Sequence, residues 1–260
     1  MTRERVLVTG AAGRVAEQLI PGLESRFDLR LFDRVGRDDI ASDIPFIVGE
    51  LTEQALLSEA LDGVDSVVHL AGNPDPDASW HELGKPNVEG FVRLLAAARQ
   101  RGVRRVVFAS SIHAMGAHEG SRRWPIDPAW PTAPCCAYGA TKVFDEAMAR
   151  VYAYQSDLAL IGLRLGLCAP KASPAEAAAG WLRPPDLQRI VVGALTSNVR
   201  FGIYHALSST SRGRWLIDAT VAELGYEPEG DVADGLQQEQ ELRQHDEHLS
   251  TCSPPRHRLA

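Results

Sequence analysis

The sequence has no surplus of positive charge: 27 Lys and Arg stand against 34 Asp and Glu, a formal net charge of −7 with a pI near 5.6. That balance leaves no basic footprint for nucleic acid or for an anionic membrane surface, so neither is expected as a partner. Long hydrophobic runs are missing too. The longest, such as VDSVVHLAG, fall well short of the roughly 20 apolar residues that cross a bilayer. The start, MTRERVLVTG, enters a strand almost at once, which predicts no signal peptide and a cytoplasmic protein. Cysteine is scarce. Cys135, Cys136, Cys168 and Cys252 show neither C-x-x-C spacing nor a disulfide ladder, so they read as thiols in a reducing compartment, and no residue is assigned to a metal. There is also no internal repeat and no long linker before the end of the chain.

What is present is enough apolar material, 45% of 260 residues, to bury a full core. Short apolar runs bounded by turn residues, RVLVTG, LRLFDR, PFIVGE, DSVVHLAG, RRVVFASS and LALIGLRLG, read as buried parallel strands. Helical patterns near residues 14–25, 52–61, 86–101 and 138–156 separate them. This βαβ series predicts an α/β fold of the Rossmann type, a doubly wound parallel sheet. One domain is expected over residues 1–228, with its C-terminal part forming a small substrate-covering region. From 229 to 260 the composition turns to Gln, Glu, Asp and His and ends in SPPRHRLA, which predicts a polar, partly disordered tail.

Two features carry chemistry. In VLVTGAAGRVA, Gly10 and Gly13 lie directly between the first strand and the first helix. Gly10 permits a tight turn, Gly13 a close backbone approach, and the N–H groups of Arg14 and Val15 open a helix whose positive end suits a pyrophosphate. Ala16 stands where a third glycine often falls. About twenty residues on, Asp33 ends the second strand, where a carboxylate accepts hydrogen bonds from a ribose diol and repels a 2′-phosphate. NAD is therefore the expected cofactor, with NADP left open by Arg34 and Arg37. The second feature is YGATK, residues 138–142. A helix stacks Tyr138 and Lys142 on one face, and an ammonium beside a phenol favours the phenolate, so the pair can move a proton. By itself a Y-x-x-x-K is more often a half-buried aromatic and a solvated lysine.

The glycine turn, HLAG at 69–72, NVEG at 87–90, FASS at 108–111 and YGATK occur in that order, and with them the chain resembles the extended short-chain dehydrogenase/reductases over about residues 4–228. Through SSIHAMG and RLGLC it is most similar to the uronate dehydrogenases of that superfamily. The resemblance implies a catalytic set: Tyr138 as general base, Lys142 on the nicotinamide ribose, and Ser111 holding the substrate oxygen. It implies that Leu70, Ala71 and Gly72 pass under the cofactor, that Glu50 and Leu51 lie beside adenine, and that Ala12 and Cys168 also reach the dinucleotide. Ile112, His113 and Leu167 would line the substrate pocket with Ser111 and Tyr138. Asn87 and His69 are read as structural, Cys135 and Cys136 as loop residues, and most of Trp80, Trp124, Trp130 and Trp181 as packing.

The substrate end departs from the uronate enzymes. Positions that carry hydroxyl or amide groups there are Pro74, Ile112 and Leu167 here, and the loop expected to supply a carboxylate-binding arginine reads SPAEA, with Glu176 and no cation. Lys171 and Arg183 are the nearest replacements. The expectation is an NAD-dependent dehydrogenase of a sugar or small hydroxy compound with an altered pocket. The alternatives are a nucleotide-sugar epimerase or reductase, and a dinucleotide-binding protein without turnover. A small-molecule substrate is expected, and homo-oligomerisation is left open.

Overall fold

A computed structural model describes residues 3–37, 43–121, 123–173, 176 and 179–229. Seven parallel strands form one sheet: β1 (Arg5–Thr9), β2 (Asp28–Asp33), β3 (Phe46–Val48), β4 (Ser66–His69), β5 (Arg105–Ser111), β6 (Ala159–Leu165) and, beyond a short β7–β8 pair (Leu167–Cys168 and Trp181–Leu182), β9 (Phe201–Ala206). The order is β3-β2-β1-β4-β5-β6-β9. Every residue of β4 and β6 is buried. That follows from helices on both faces, and it is why these strands read as unbroken apolar runs rather than alternating ones.

One face is covered by α1 (Arg14–Leu23) and α7 (Pro184–Thr196), whose Leu19, Leu23, Leu187, Ile190 and Val191 pack on Val6, Val8 and Leu163. The other is covered by α2 (Gln54–Ala60), α4 (Gly90–Gln100) and α6 (Ala137–Gln155), with Leu57, Leu94, Leu95 and Ala149 against Leu7, Val67 and Val106. Among the described residues three further α-helices are short: α3 (Trp80–Leu83), α5 (Gly116–Gly120) and α8 (Asp218–Leu224).

The six sequence-read strands are all found, five ending within two residues of their runs and β4 stopping at His69, three residues before the run DSVVHLAG ends. Of the elements the sequence reading did not give, two build the core. The helix at 184–196 has apolar residues at 187, 190, 191, 194 and 195, and β9 adds a seventh strand in register with β6, Leu160 against Phe201. The C-terminal part therefore extends the sheet as well as covering it. The helix expected from residue 86 also starts earlier, at Trp80, and passes through a π-helical turn, Gly84–Glu89, before α4. The tail from residue 230 onward lies outside the described residues.

In such a sheet the crevice opens at the carboxyl ends of the strands where the order reverses, here between β1 and β4. Gly10, Asp33, Leu70 and Ser111 all stand at that edge.

Candidate active site

The glycine turn is held against its neighbours closely enough that a side chain has no room. Gly10 has φ +74°, and a Cβ there would lie 2.5 Å from Ala71 N and 2.6 Å from the Leu70 carbonyl carbon. The N–H groups of Gly10 and Ala11 both donate to Phe32 O, at 2.9 and 3.3 Å. Gly13 caps α1 with extended backbone and no side-chain hydrogen bond, so the first N–H groups of the helix are left for an anion. Asp33, expected to face a ribose, is tied to the turn: its Oδ2 accepts from Ala12 N–H at 2.9 Å and its Oδ1 from Val35 N–H at 3.3 Å. The second strand's acid thus braces the turn from the side. A cleft of about 750 Å³ runs here, lined by Ala12, Asp33, Arg34, Glu50, Leu51 and Ala71. The Glu50 carboxylate, however, pairs with Lys85 and Thr52, and Lys85 holds it below the usual carboxylate range.

An adjoining space of about 510 Å³ shares Gly10, Gly13, Leu70, Gly72, Asn73 and Pro74 with that cleft and is lined also by Arg14, Val15, Ser111, Ile112, His113, Tyr138, Lys142, Leu167 and Cys168. Every residue assigned to cofactor or substrate from sequence lines one part or the other. Tyr138 and Lys142 lie on the first two turns of α6. Lys142 is 5% exposed, its Nζ 3.2 Å from Asp145 Oδ2 and 5.8 Å from the Tyr138 ring centre. Burial works against the Lys142 charge, but Asp145, Tyr138 and Glu146 outweigh it and the pKa is raised. Burial pushes the Asp145 carboxyl up to about 6, with Lys142 opposing the shift.

Three polar groups fix this helix relative to the cofactor loop. Asn87, buried in the π-helical turn, accepts from Asn73 N–H at 2.7 Å and donates to Asn73 O at 3.1 Å and to Thr141 Oγ1 at 3.2 Å. Thr141 in turn donates to Tyr138 O at 2.7 Å. These contacts agree with a bracing role for Asn87. His69 is also structural: Nδ1 lies 2.7 Å from Thr9 Oγ1, and burial, with Lys142 nearby, lowers its pKa to about 3. Ser111 ends β5 with its Oγ accepting from His113 N–H at 3.2 Å, which leaves the hydroxyl proton for another acceptor.

At the end expected to take substrate, Pro74, Ile112 and Leu167 line the space without donor side chains, and Glu176 lines it with an anion. Ser173 donates to Glu176 from its N–H at 2.8 Å and its hydroxyl at 2.7 Å, which holds the carboxyl below its ordinary value. Among the described residues, the only lysine or arginine side chains lining this part are Arg14 and Lys142. Arg183 is engaged elsewhere, 2.9 Å from Asp186 Oδ2 and donating to Glu229 O at 2.8 Å, and Lys171 is exposed outside the lining.

Of the tryptophans, Trp124 and Trp130 pack on the core and Trp181 donates to Ala169 O at 2.8 Å, whereas Trp80 is largely exposed. The sequence reading of Cys135 and Cys136 as plain loop residues missed a contact. Both thiols meet His113 Nδ1, at 3.6 and 3.4 Å, and the His113 ring stands edge-on to Tyr138 at 5.6 Å. Hydrogen bonding from Cys135, then from His113 and Gly139 N–H, draws the Cys136 thiol down to about 4 against the effect of burial. Only a tertiary contact joins residues 113 and 135–136, so spacing carried no signal for it. The Cys168 thiol is pushed up to about 12 by burial.

Comparison with known proteins gives a consistent picture. The family model described as NAD dependent epimerase/dehydratase family matches residues 6–175. The chain is 30% identical to an NAD-dependent glucose-6-phosphate dehydrogenase of Haloferax volcanii, over 88% of this chain and 94% of that protein. It is 29% identical to the L-arabinose 1-dehydrogenase (NAD(P)(+)) of the same organism, over 88% of this chain and 98% of that one. Among solved structures it superposes on uronate dehydrogenase from Agrobacterium tumefaciens with a TM-score of 0.79 at 25% identity, covering 98% of this chain and 92% of that one.

Proposed function

The chain belongs to the NAD dependent epimerase/dehydratase family, and we propose that it is an NAD-dependent dehydrogenase whose substrate is an uncharged sugar or comparable hydroxy compound rather than a uronate or a sugar phosphate. The observation that carries this reading is the convergence of Ser111, Tyr138 and Lys142 on one cleft with Gly10 and Gly13. The cofactor fits the residues present. Gly10 leaves a surface that any Cβ would fill, α1 begins without a side-chain cap, and Asp33 faces the cleft at the end of β2.

Bound NAD supplies the hydride acceptor. The chain's own groups do the rest. Ser111 donates its hydroxyl proton to the substrate oxygen and so orients it. Tyr138 takes the proton from that oxygen as the carbon loses hydride, acting as general base. Lys142 holds a positive charge beside the phenol, steadied by Asp145, and would hold the ribose next to the nicotinamide. The pocket decides the substrate class. A carboxylate or phosphate leaving water needs a cation or several donors, because an unpaired charge is costly to bury. Pro74, Ile112 and Leu167 supply none, and Glu176 repels an anion.

A steady-state panel tests this, with NAD and uncharged aldoses, both common uronates, glucose 6-phosphate and nucleotide-linked sugars, read at the nicotinamide absorbance. The expected result is turnover of at least one uncharged sugar and poor turnover of the acidic ones. Efficient oxidation of a uronate would overturn the pocket argument, and conversion of a nucleotide-linked sugar alone would favour an epimerase or reductase.

A further inference from the structure

The thiol pair at His113 lies beside the proposed proton-transfer group yet has no part in the chemistry above. We propose that His113, Cys135 and Cys136 form a binding site for a thiophilic divalent metal ion of the Zn²⁺ class, and that its occupation inhibits the adjoining cleft. The donor atoms are His113 Nδ1, Cys135 Sγ and Cys136 Sγ. The two N···S separations are 3.6 and 3.4 Å, and all three atoms fall within 4.8 Å of one another. Tetrahedral zinc, with Zn–N of about 2.0–2.1 Å and Zn–S of about 2.3 Å, sets its nitrogen and sulfur ligands about 3.6 Å apart. The spacing therefore already suits the ion, and soft thiolate ligands select Zn²⁺ over Mg²⁺ or Ca²⁺.

The backbone holds these donors in place. Residues 133–135 are laced to 113–117 by three hydrogen bonds: Ala133 N–H to Ala114 O at 3.0 Å, Ala117 N–H to Ala133 O at 2.9 Å, and Cys135 N–H to His113 O at 3.3 Å. Two glycines make the room. A side chain at Gly116 would overlap Cys135 Sγ, and one at Gly139 would overlap His113 O. Cys136 Sγ also accepts from Gly139 N–H at 3.4 Å, an outer hydrogen bond of the kind that orients a metal ligand. All three residues are half-buried, so an ion has a way in, and three protein ligands leave one of four positions for water.

Inhibition follows from what the ligands touch. His113 lines the substrate end of the cleft and stands against the Tyr138 ring, and Cys136 caps the helix that carries Tyr138 and Lys142. Binding needs both sulfurs as thiolates, so the dication, two thiolates and a neutral imidazole form a neutral complex, and any thiol proton still held passes to solvent. Affinity should accordingly rise with pH.

The test is a Co²⁺ titration of the full, reduced chain. Thiolate-to-cobalt charge-transfer absorption should saturate at one ion per chain and be displaced by Zn²⁺. Cys135→Ser and Cys136→Ser should each weaken binding by at least about tenfold. Cys135→Ser should keep its NAD-dependent turnover while losing inhibition by Zn²⁺, an inhibition that EDTA reverses in the unaltered chain. Absence of a saturable charge-transfer band would overturn the site, as would affinity in both serine variants unchanged from that of the unaltered chain. Zn²⁺ inhibition that persists in Cys135→Ser would overturn the coupling to the cleft. A chain lighter by two hydrogen atoms after exposure to air, whose oxygen takes the two electrons and two protons, and which recovers Co²⁺ binding only with phosphine, would assign the pair to a disulfide instead. The spectrum decides the site whether or not a turnover substrate is known, so its failure is separable from failure of the proposed activity.

Discussion

Replacing Asp33 tests the cofactor end most sharply, because this one carboxylate faces two tasks. Its Oδ2 already takes Ala12 N–H at 2.9 Å and its Oδ1 takes Val35 N–H at 3.3 Å, while the cleft side faces the expected ribose diol. A hydrogen bond to a charged group contributes about 1.5–3 kcal/mol, and about 1.4 kcal/mol is a tenfold change in affinity. In Asp33→Ala the diol loses its acceptor and the glycine turn loses its brace. NAD should bind about 10- to 100-fold more weakly, the loss of one such bond or slightly more. NADP should change less, because relief of repulsion at its 2′-phosphate offsets the looser turn, and Arg34 lines the same cleft. Asp33→Asn separates the two effects. It keeps an oxygen for Ala12 N–H but removes the charge, so it should narrow the NAD-to-NADP ratio while leaving the melting temperature nearer to the starting chain than Asp33→Ala does. Calorimetric titration of both cofactors into the three proteins is the assay. NAD affinity within about twofold in Asp33→Ala, against the tenfold a single charged bond implies, would refute the reasoning, as would tighter NADP binding before any substitution.

Three further outcomes are expected. Tyr138→Phe should abolish turnover but leave NAD affinity nearly unchanged, since the phenol moves a proton and holds little of the dinucleotide; activity within a few-fold of the starting chain would sink its assignment. Gly10→Ala should lower both cofactor affinity and melting temperature, because a Cβ meets Ala71 N at 2.5 Å and a left-handed backbone alone costs an alanine about 1–2 kcal/mol; an unchanged melting curve would count against the close approach. For Asp145, the carboxyl at about 6 stands above its ordinary 3.8, so between about pH 4 and 6 the folded chain keeps a proton that the unfolded chain has released, and this group's contribution to stability falls as pH rises through that window. Relative to the starting chain, Asp145→Asn should therefore gain stability from pH 4 to 7 in thermal melts, and a flat difference would contradict the burial argument.

Much of this was legible because the signals were local. β1, β4, β5 and β6 are covered on both faces, so burial writes itself as continuous apolar runs, and the glycine turn and YGATK sit at the strand and helix ends where those runs stop. β9 was missed for a physical reason. Gly202, Tyr204 and His205 interrupt its apolar pattern, and it lies at the edge of the sheet against β6 alone. The helix at 184–196 was available in its spacing but opens on Pro184–Pro185, which punctuate a loop as readily as a helix start. At the site, Glu50 faces the cleft as expected, yet its carboxylate turns to Lys85, a partner that sequence separation hides. The meeting of His113 with Cys135 and Cys136 is of the same kind, set by backbone lacing between two loops.

The division of the cleft between rigid elements and loops has a consequence for how such a protein changes over generations. Ser111, Tyr138 and Lys142 stand on β5 and α6, deep in the hydrogen-bonded frame that Asn87 and Thr141 tie to the cofactor loop. Pro74 stands on a connecting segment and Leu167 on a short strand outside that frame, and Glu176 lines the same rim. Under the proposed assignment, mutation can therefore sample new substrates at the rim while Ser111, Tyr138 and Lys142 are inherited intact. For an engineer the same partition offers a short route to altered selectivity: libraries confined to positions 74, 167 and 176 should yield folded, NAD-binding proteins at high frequency, with differences among them falling on which sugar is accepted.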